Sequence, residues 1–327
     1  MKSQLSFGAR EFASKKKATR RERFLGEMEA VVPWSALVGL IEPHYPQGRR
    51  GRPPIGIERM LRVYFLSQWY GLADEALEDA IYDSQAMRNF VGIDLSSESV
   101  PDATTLLKFR HLLEREELTK AIFERIGEHL QERKLSLREG TIIDATIIAA
   151  PSSTKNRSGR RDPEMHQTRK GNEWHFGMRA HVGVDVESGL VHHVVGTAAN
   201  VAEITQSRRL LHGQEKRVHG DAGYQGIEKR PEMVDLAASL EWLIALKRGK
   251  IKSMAEGLHR SVLTEWERRK SQVRALVEHP FHILKNLFKY RKVRYRGLAK
   301  NTAQLYSLFA LANLVIAGRT RRTFPAI

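Results

Sequence analysis

The 327-residue sequence contains no cysteine. That excludes disulfides, thiolate zinc sites and thiol nucleophiles together, so any bound metal must rest on oxygen or imidazole. No glycine-rich loop of the phosphate-cradling type is present, which argues against ATP-driven chemistry. Long apolar runs are missing too: the longest, Leu305 to Ala317, is short and interrupted by Ser307 and Asn313. The N-terminus has no apolar signal-type core, so a cytosolic protein without membrane contact is expected. Acids are few beside bases, 38 against 54, giving a net charge of +16 and an isoelectric point of about 10.1. Such an excess points to a polyanionic partner, nucleic acid first.

What is present is a chain of two characters. Residues 1–24 are basic, with Lys15, Lys16, Lys17, Arg20, Arg21 and Arg23 close together, and read as an arm. Helical spacing of apolar residues then predicts helices from Glu22 to Val32 and from Trp34 to Ile41, broken by Pro33. A longer one is expected from Gly56 to Tyr70, with shorter ones over 73–82, 84–91, 102–114 and 117–133. At Thr141 the pattern changes to a β-branched run, Thr141-Ile142-Ile143-Asp144-Ala145-Thr146-Ile147-Ile148, a buried strand with a carboxylate in its middle. A polar loop from Ser152 to Gly171 precedes a hairpin of strands over 179–186 and 190–197, turning at Glu187-Ser188-Gly189. Val201, Ile204, Arg208 and Leu211 mark a helix, and further strands are read at 217–220 and 241–247 before helix returns from about residue 256. The order implies a mixed α/β sheet covered by helices, after an all-helical N-terminal domain.

Three acids stand out by position. A carboxylate within a buried strand costs several kcal/mol unless paired or metal-bound, which singles out Asp144. Asp221 ends a predicted strand in His219-Gly220-Asp221-Ala222-Gly223-Tyr224, where the glycines allow a tight turn. Glu278 lies between Arg274 and Lys285 at helical spacings that put all three within about 40° of one another, although Pro280 interrupts that segment. Carboxylates from two strands and a helix suit two Mg²⁺ (or Mn²⁺) ions and in-line displacement at phosphorus. His279 and His282 are too few for a zinc site.

Basic residues recur around these acids. Arg49, Arg50 and Arg52 with Pro53 and Pro54 form a stiff loop that suits a narrow minor groove, and Lys108 and Arg110 sit on a helix able to read DNA. From Lys285 to Lys300 there are seven cations and no acid, among them Arg291, Lys292, Arg294 and Arg296, interleaved with Phe288, Tyr290 and Tyr295. Such a segment can follow a phosphate backbone while its rings stack on bases. Lys155, Arg160, Arg161, Arg169 and Lys170 can close over the same substrate, with Trp174 and His175 as neighbours.

The stretches Ile143-Asp144-Ala145-Thr146, His219 to Tyr224, and Arg274, Glu278 and Lys285 at their spacing resemble the three acidic motifs of bacterial insertion-sequence transposases of the DDE class. The likeness is greatest to insertion sequence family five, and it extends to Pro101 to Arg110, Trp174 to Asp185 and Val293 to Asn301. It implies an RNase-H-like catalytic core over 136–327 with a short insertion at about 248–270, and a helical DNA-binding or dimerisation domain over 25–135. It also implies Asp144, Asp221 and Glu278 as metal ligands and catalytic residues, with Arg274 and Lys285 on DNA. The expected activity is cut-and-paste transposition on terminal inverted repeats and target DNA, by a dimer or larger assembly at the bacterial nucleoid. The related signature often begins with Tyr three residues before the Arg, where this chain has Ser271. A noncatalytic DNA-binding repressor and an RNase-H-like nuclease are the alternatives.

Overall fold

The computed structural model describes residues 12, 14–48, 53–135, 139–157 and 159–323, without the side chains of 248 and 320–323. Its contacts divide the chain into two units, Met1–Ile126 with Ala317–Ile327, and Gly127–Ile316. Among the described residues no single helix is long and apolar enough to cross a membrane.

The first unit is helical: α1 (Arg20–Val31), α2 (Trp34–Ile41), α3 (Ile57–Tyr70), α4 (Asp74–Asp83), α5 (Gln85–Val91), α6 (Ala103–Arg115) and most of α7 (Leu118–Glu132). Caps set several of these starts. Thr19 and Glu22 form a reciprocal capping box at α1, and Asp102 accepts from the Thr105 amide at α6. The core is aromatic, with Trp69 in edge contact with Phe24, Phe65 and Phe90. Arg62 lies over Trp34 at 4.1 Å while its guanidinium is shared between Glu29 and Glu58.

The second unit is built on a six-stranded sheet. Its strands are β1 (Gly140–Ala149), β2 (His166–Lys170), β3 (Glu173–Asp185), β4 (Val191–Ala198), β5 (Arg217–Gly220) and β6 (Glu241–Ile244), in the order β2-β3-β1-β5-β6 with β4 also on β3. β1, β3 and β4 run antiparallel, whereas β1, β5 and β6 are parallel. The 13-residue β3 serves two neighbours along one edge: Glu173 to Gly177 pairs with β2, and Met178 to Val184 with β4. A helical N-terminal region followed by this mixed sheet with helices is an RNase-H-like arrangement.

Two expectations from sequence are refined. The polar stretch read as loop contains β2, and the helix expected after β4 is the 3-10 helix Glu203–Leu210. After the short α8 (Arg248–Lys252), the backbone stays helical from Leu258 to Leu287 but changes type, from α9 (Leu258–Arg274) through a 3-10 turn (Ala275–Val277) to α10 (Glu278–His282) and a π turn (Ile283–Leu287). Proline cannot donate the helical bond at 280, and the tightened turn before it and the widened turn after it absorb that loss. The chain closes with α11 (Leu298–Thr323).

Packing of the 3-10 helix onto the sheet depends on Gly183, where the β3–β4 register shifts. A Cβ there would stand 2.3 Å from the Leu210 carbonyl oxygen, which is backbone and cannot yield cheaply. Gly183→Ala is therefore expected to cost about 1–3 kcal/mol, read as a lower midpoint in thermal unfolding of the purified protein.

Candidate active site

Asp144 lies midway along β1, paired with Val182 on one side, and its side chain is only 13% exposed. Parallel pairing of β5 with the start of β1 brings Asp221, just past the end of β5, beside it. Asp221 caps the short turn Ala222–Tyr224, its Oδ1 accepting from the Gly223 amide at 2.8 Å. Burial, before any other cause, pushes the Asp144 carboxyl up to about 7, and the charges of Asp221 and Glu203 push the same way. Opposing them are the Ala145 amide, donating to Oδ1 at 2.7 Å, and the Arg274 guanidinium at 3.9 Å. Tight collection of like charges in a half-dry site is unfavourable by itself and is relieved by a cation.

The helical run after Leu258 lies along the same face of β1. Arg274 reaches Asp144, and the Lys285 Nζ donates to the Thr146 hydroxyl at 2.5 Å. Asp144 and Thr146 are two apart on a strand and so share a face. Burial lowers the Lys285 pKa, as does the nearby Lys170, while Glu278 opposes them. Glu278 itself is exposed at the start of α10. The structure thus brings Asp144, Asp221, Arg274 and Lys285 together, with Glu278 on the adjoining turn. Among the described residues, no three Asp, Glu or His side chains meet closely enough to hold one metal ion jointly.

The remaining basic candidates fall in several places. Asn156, Arg160, Arg161, Arg294, Tyr295 and Arg296 line one groove of about 240 Å³. Its two walls are tied by Asp162 and Glu164, which accept from the Gly297 and Leu298 amides at 2.7 and 2.6 Å. Arg161 also lies over Phe176. Arg291 folds back onto Asn286 and the Lys285 carbonyl, while Lys155 and Lys292 are exposed. Arg169 and Trp174 face each other near the tip of the β2–β3 hairpin, with Lys170 beside Arg169, His175 opposite Thr168, and Trp174 67% exposed. In the first unit Lys108 is exposed, whereas Arg110 is held in a two-point ion pair by Asp74. Arg49, Arg50 and Arg52, expected from the sequence to meet DNA, lie outside the described residues.

Sequence reasoning missed Thr146, Glu203, Arg179 and Tyr224. The two-residue period from Asp144 could have marked Thr146. Glu203 opens the 3-10 helix and meets Arg179 of β3 at 3.3 Å, a contact no local pattern announces.

Residues 135–314 match the family model described as a transposase DDE domain, and residues 13–112 match one described as a transposase domain (DUF772). The first match covers more than half of the chain, which therefore belongs to the DDE transposase family. It is an insertion-sequence DNA transposase, an enzyme of the kind that generally uses divalent metals, with DNA as its partner. No solved structure matches the chain.

The raised Asp144 carboxyl carries a stability consequence. An acid whose folded pKa lies above its unfolded value favours folding less as pH rises from about 4 to about 7. Asp144→Asn cannot ionise, so in chelator at neutral pH it should be more stable than the natural protein by on the order of 2–3 kcal/mol. Thermal unfolding at pH 7.5 and near pH 4 tests this: the gain should shrink at the lower pH.

Proposed function

We propose that the enzyme carries out cut-and-paste transposition of an insertion sequence similar to family five, binding its terminal inverted repeats and joining the freed ends to target DNA. The observation that supports this most directly is the close approach of Asp144 and Asp221, with Arg274 and Lys285 beside them, inside the DDE domain. The site offers hard oxygen donors and repelling carboxylates, which fit Mg²⁺ or Mn²⁺. Asp144, Asp221 and Glu278 would hold two such ions, with Glu278 swinging in from its exposed position on α10. Bound divalent cations supply Lewis acidity and lower the pKa of a bound water or hydroxyl.

The chain's own groups do the rest. Arg274 and Lys285 hold phosphate oxygens at the cleavage point, and Thr146 steadies the Lys285 ammonium. The groove between Arg160, Arg161, Arg294 and Arg296 carries the flanking phosphates, with Tyr295 available to stack on a base. Trp174, His175, Arg169 and Lys170 reach the DNA from the hairpin tip, as do Lys155, Arg291 and Lys292 along the same basic side, and Lys108 from the helical unit. A homodimer or larger assembly on the DNA brings both ends together.

Purified protein with Mg²⁺ and element-end DNA is expected to nick one strand at a defined position and then join it to a target. Asp221→Asn should lower cleavage by at least about a thousandfold while leaving end binding intact; an active variant would refute the assignment. Binding without any cleavage would instead favour a repressor, and cleavage without joining a nuclease. Replacing Arg294 and Arg296 by Ala should weaken binding and reduce the log–log salt slope by roughly 2, measured by anisotropy across a salt series.

A further inference from the structure

Asp144 and Asp221 have a third carboxylate as neighbour. Glu203 opens the 3-10 helix Glu203–Leu210, which packs against β1, β3, β4 and the turn that Asp221 caps. Its side chain is 27% exposed, and Arg179 holds it at 3.3 Å. Arg179 is in turn fixed, its Nη1 donating to the Val201 carbonyl at 2.9 Å and its Nη2 to the Thr168 hydroxyl at 3.4 Å. A glutamate set so firmly beside two aspartates is not a solvated surface acid.

A second observation points into the same space. Tyr224 is fully buried, yet its hydroxyl has no hydrogen-bond partner among the described residues. Tyr224 belongs to the turn that Asp221 caps and packs with Ile143, next to Asp144, and with Leu210 of the 3-10 helix. The charges felt by its hydroxyl come from Glu203, Asp144 and Asp221, with Arg179 opposing, so it borders the region these acids share. A phenol hydroxyl is a neutral donor that can also accept. A buried hydroxyl without a protein partner marks a place for water or an ion's hydration shell.

We propose that Glu203, fixed by Arg179, is a further acidic positioning residue of the site, drawing a hydrated divalent cation into the space bordered by Asp144, Asp221 and the Tyr224 hydroxyl. The inference rests on reading Asp144 and Asp221 as cation ligands. Magnesium-sized ions keep several waters, and such waters donate to nearby carboxylates; Glu203 accepts one of these bonds. Tyr224 satisfies its hydroxyl on the same shell.

Mn²⁺ titration of the full-length protein, followed by electron paramagnetic resonance without DNA, tests this apart from activity. Glu203→Gln should weaken Mn²⁺ binding by about tenfold or more, whereas Glu203→Asp, which keeps the charge, should recover most of it. Natural affinity in Glu203→Gln alongside loss of binding in Asp144→Asn would overturn the role of Glu203 and leave the site reading intact. Natural affinity in both variants would overturn both. Should Glu203→Gln fail to fold, Tyr224→Phe removes only the hydroxyl: several-fold weaker Mn²⁺ binding is expected, and unchanged binding refutes the proposal.

Discussion

Carboxylates repel one another, and a protein that gathers them where water is scarce must hold them by force of the surrounding fold. In this transposase the sheet provides that force. Antiparallel pairing of β3 fixes β1 on one side and parallel pairing of β5 fixes it on the other, so Asp144 and the residue following β5 have little freedom to separate. The Asp144 carboxyl is raised first by burial and then by the charges of Asp221 and Glu203, against the Ala145 amide and Arg274, which lower it. The site thus favours positive charge beside its carboxylates, which suits a family that generally uses divalent metals.

The helical run after Leu258 complements this scaffold. It carries its cations at two points on one face of β1, Arg274 at Asp144 and Lys285 at Thr146. Between them the backbone passes Pro280 by tightening and then widening its turns rather than by breaking. That compromise keeps the two basic side chains in register with the strand although an ideal helix would not have allowed a proline there.

Much of this was legible in the sequence, and the exceptions have physical reasons. The β-branched run around Asp144 announced a buried strand, and the helical periodicities of the N-terminal unit announced its helices, because those patterns are local. The aspartates were singled out by their places in predicted strands, and the fold brings them together. β2 was concealed because it is exposed on nearly every residue and so has no apolar alternation to betray it. Glu203 was concealed for a different reason: its nearness to the aspartates arises only when the 3-10 helix folds back over β1, an event of tertiary packing. Arg110 read as a DNA-facing cation, but its spatial partner Asp74 is invisible to helical spacing.

The unequal sharing of β3 also separates rigidity from compliance. Beyond Phe176, whose carbonyl still accepts from the Ala150 amide, β3 toward its N-terminus has β2 as its one strand partner among the described residues. A two-stranded ribbon is weakly self-supporting, unlike the multi-stranded body from which it projects. The ribbon carrying Trp174 therefore has fewer neighbours holding its shape than the acidic centre, which is anchored in the wider sheet.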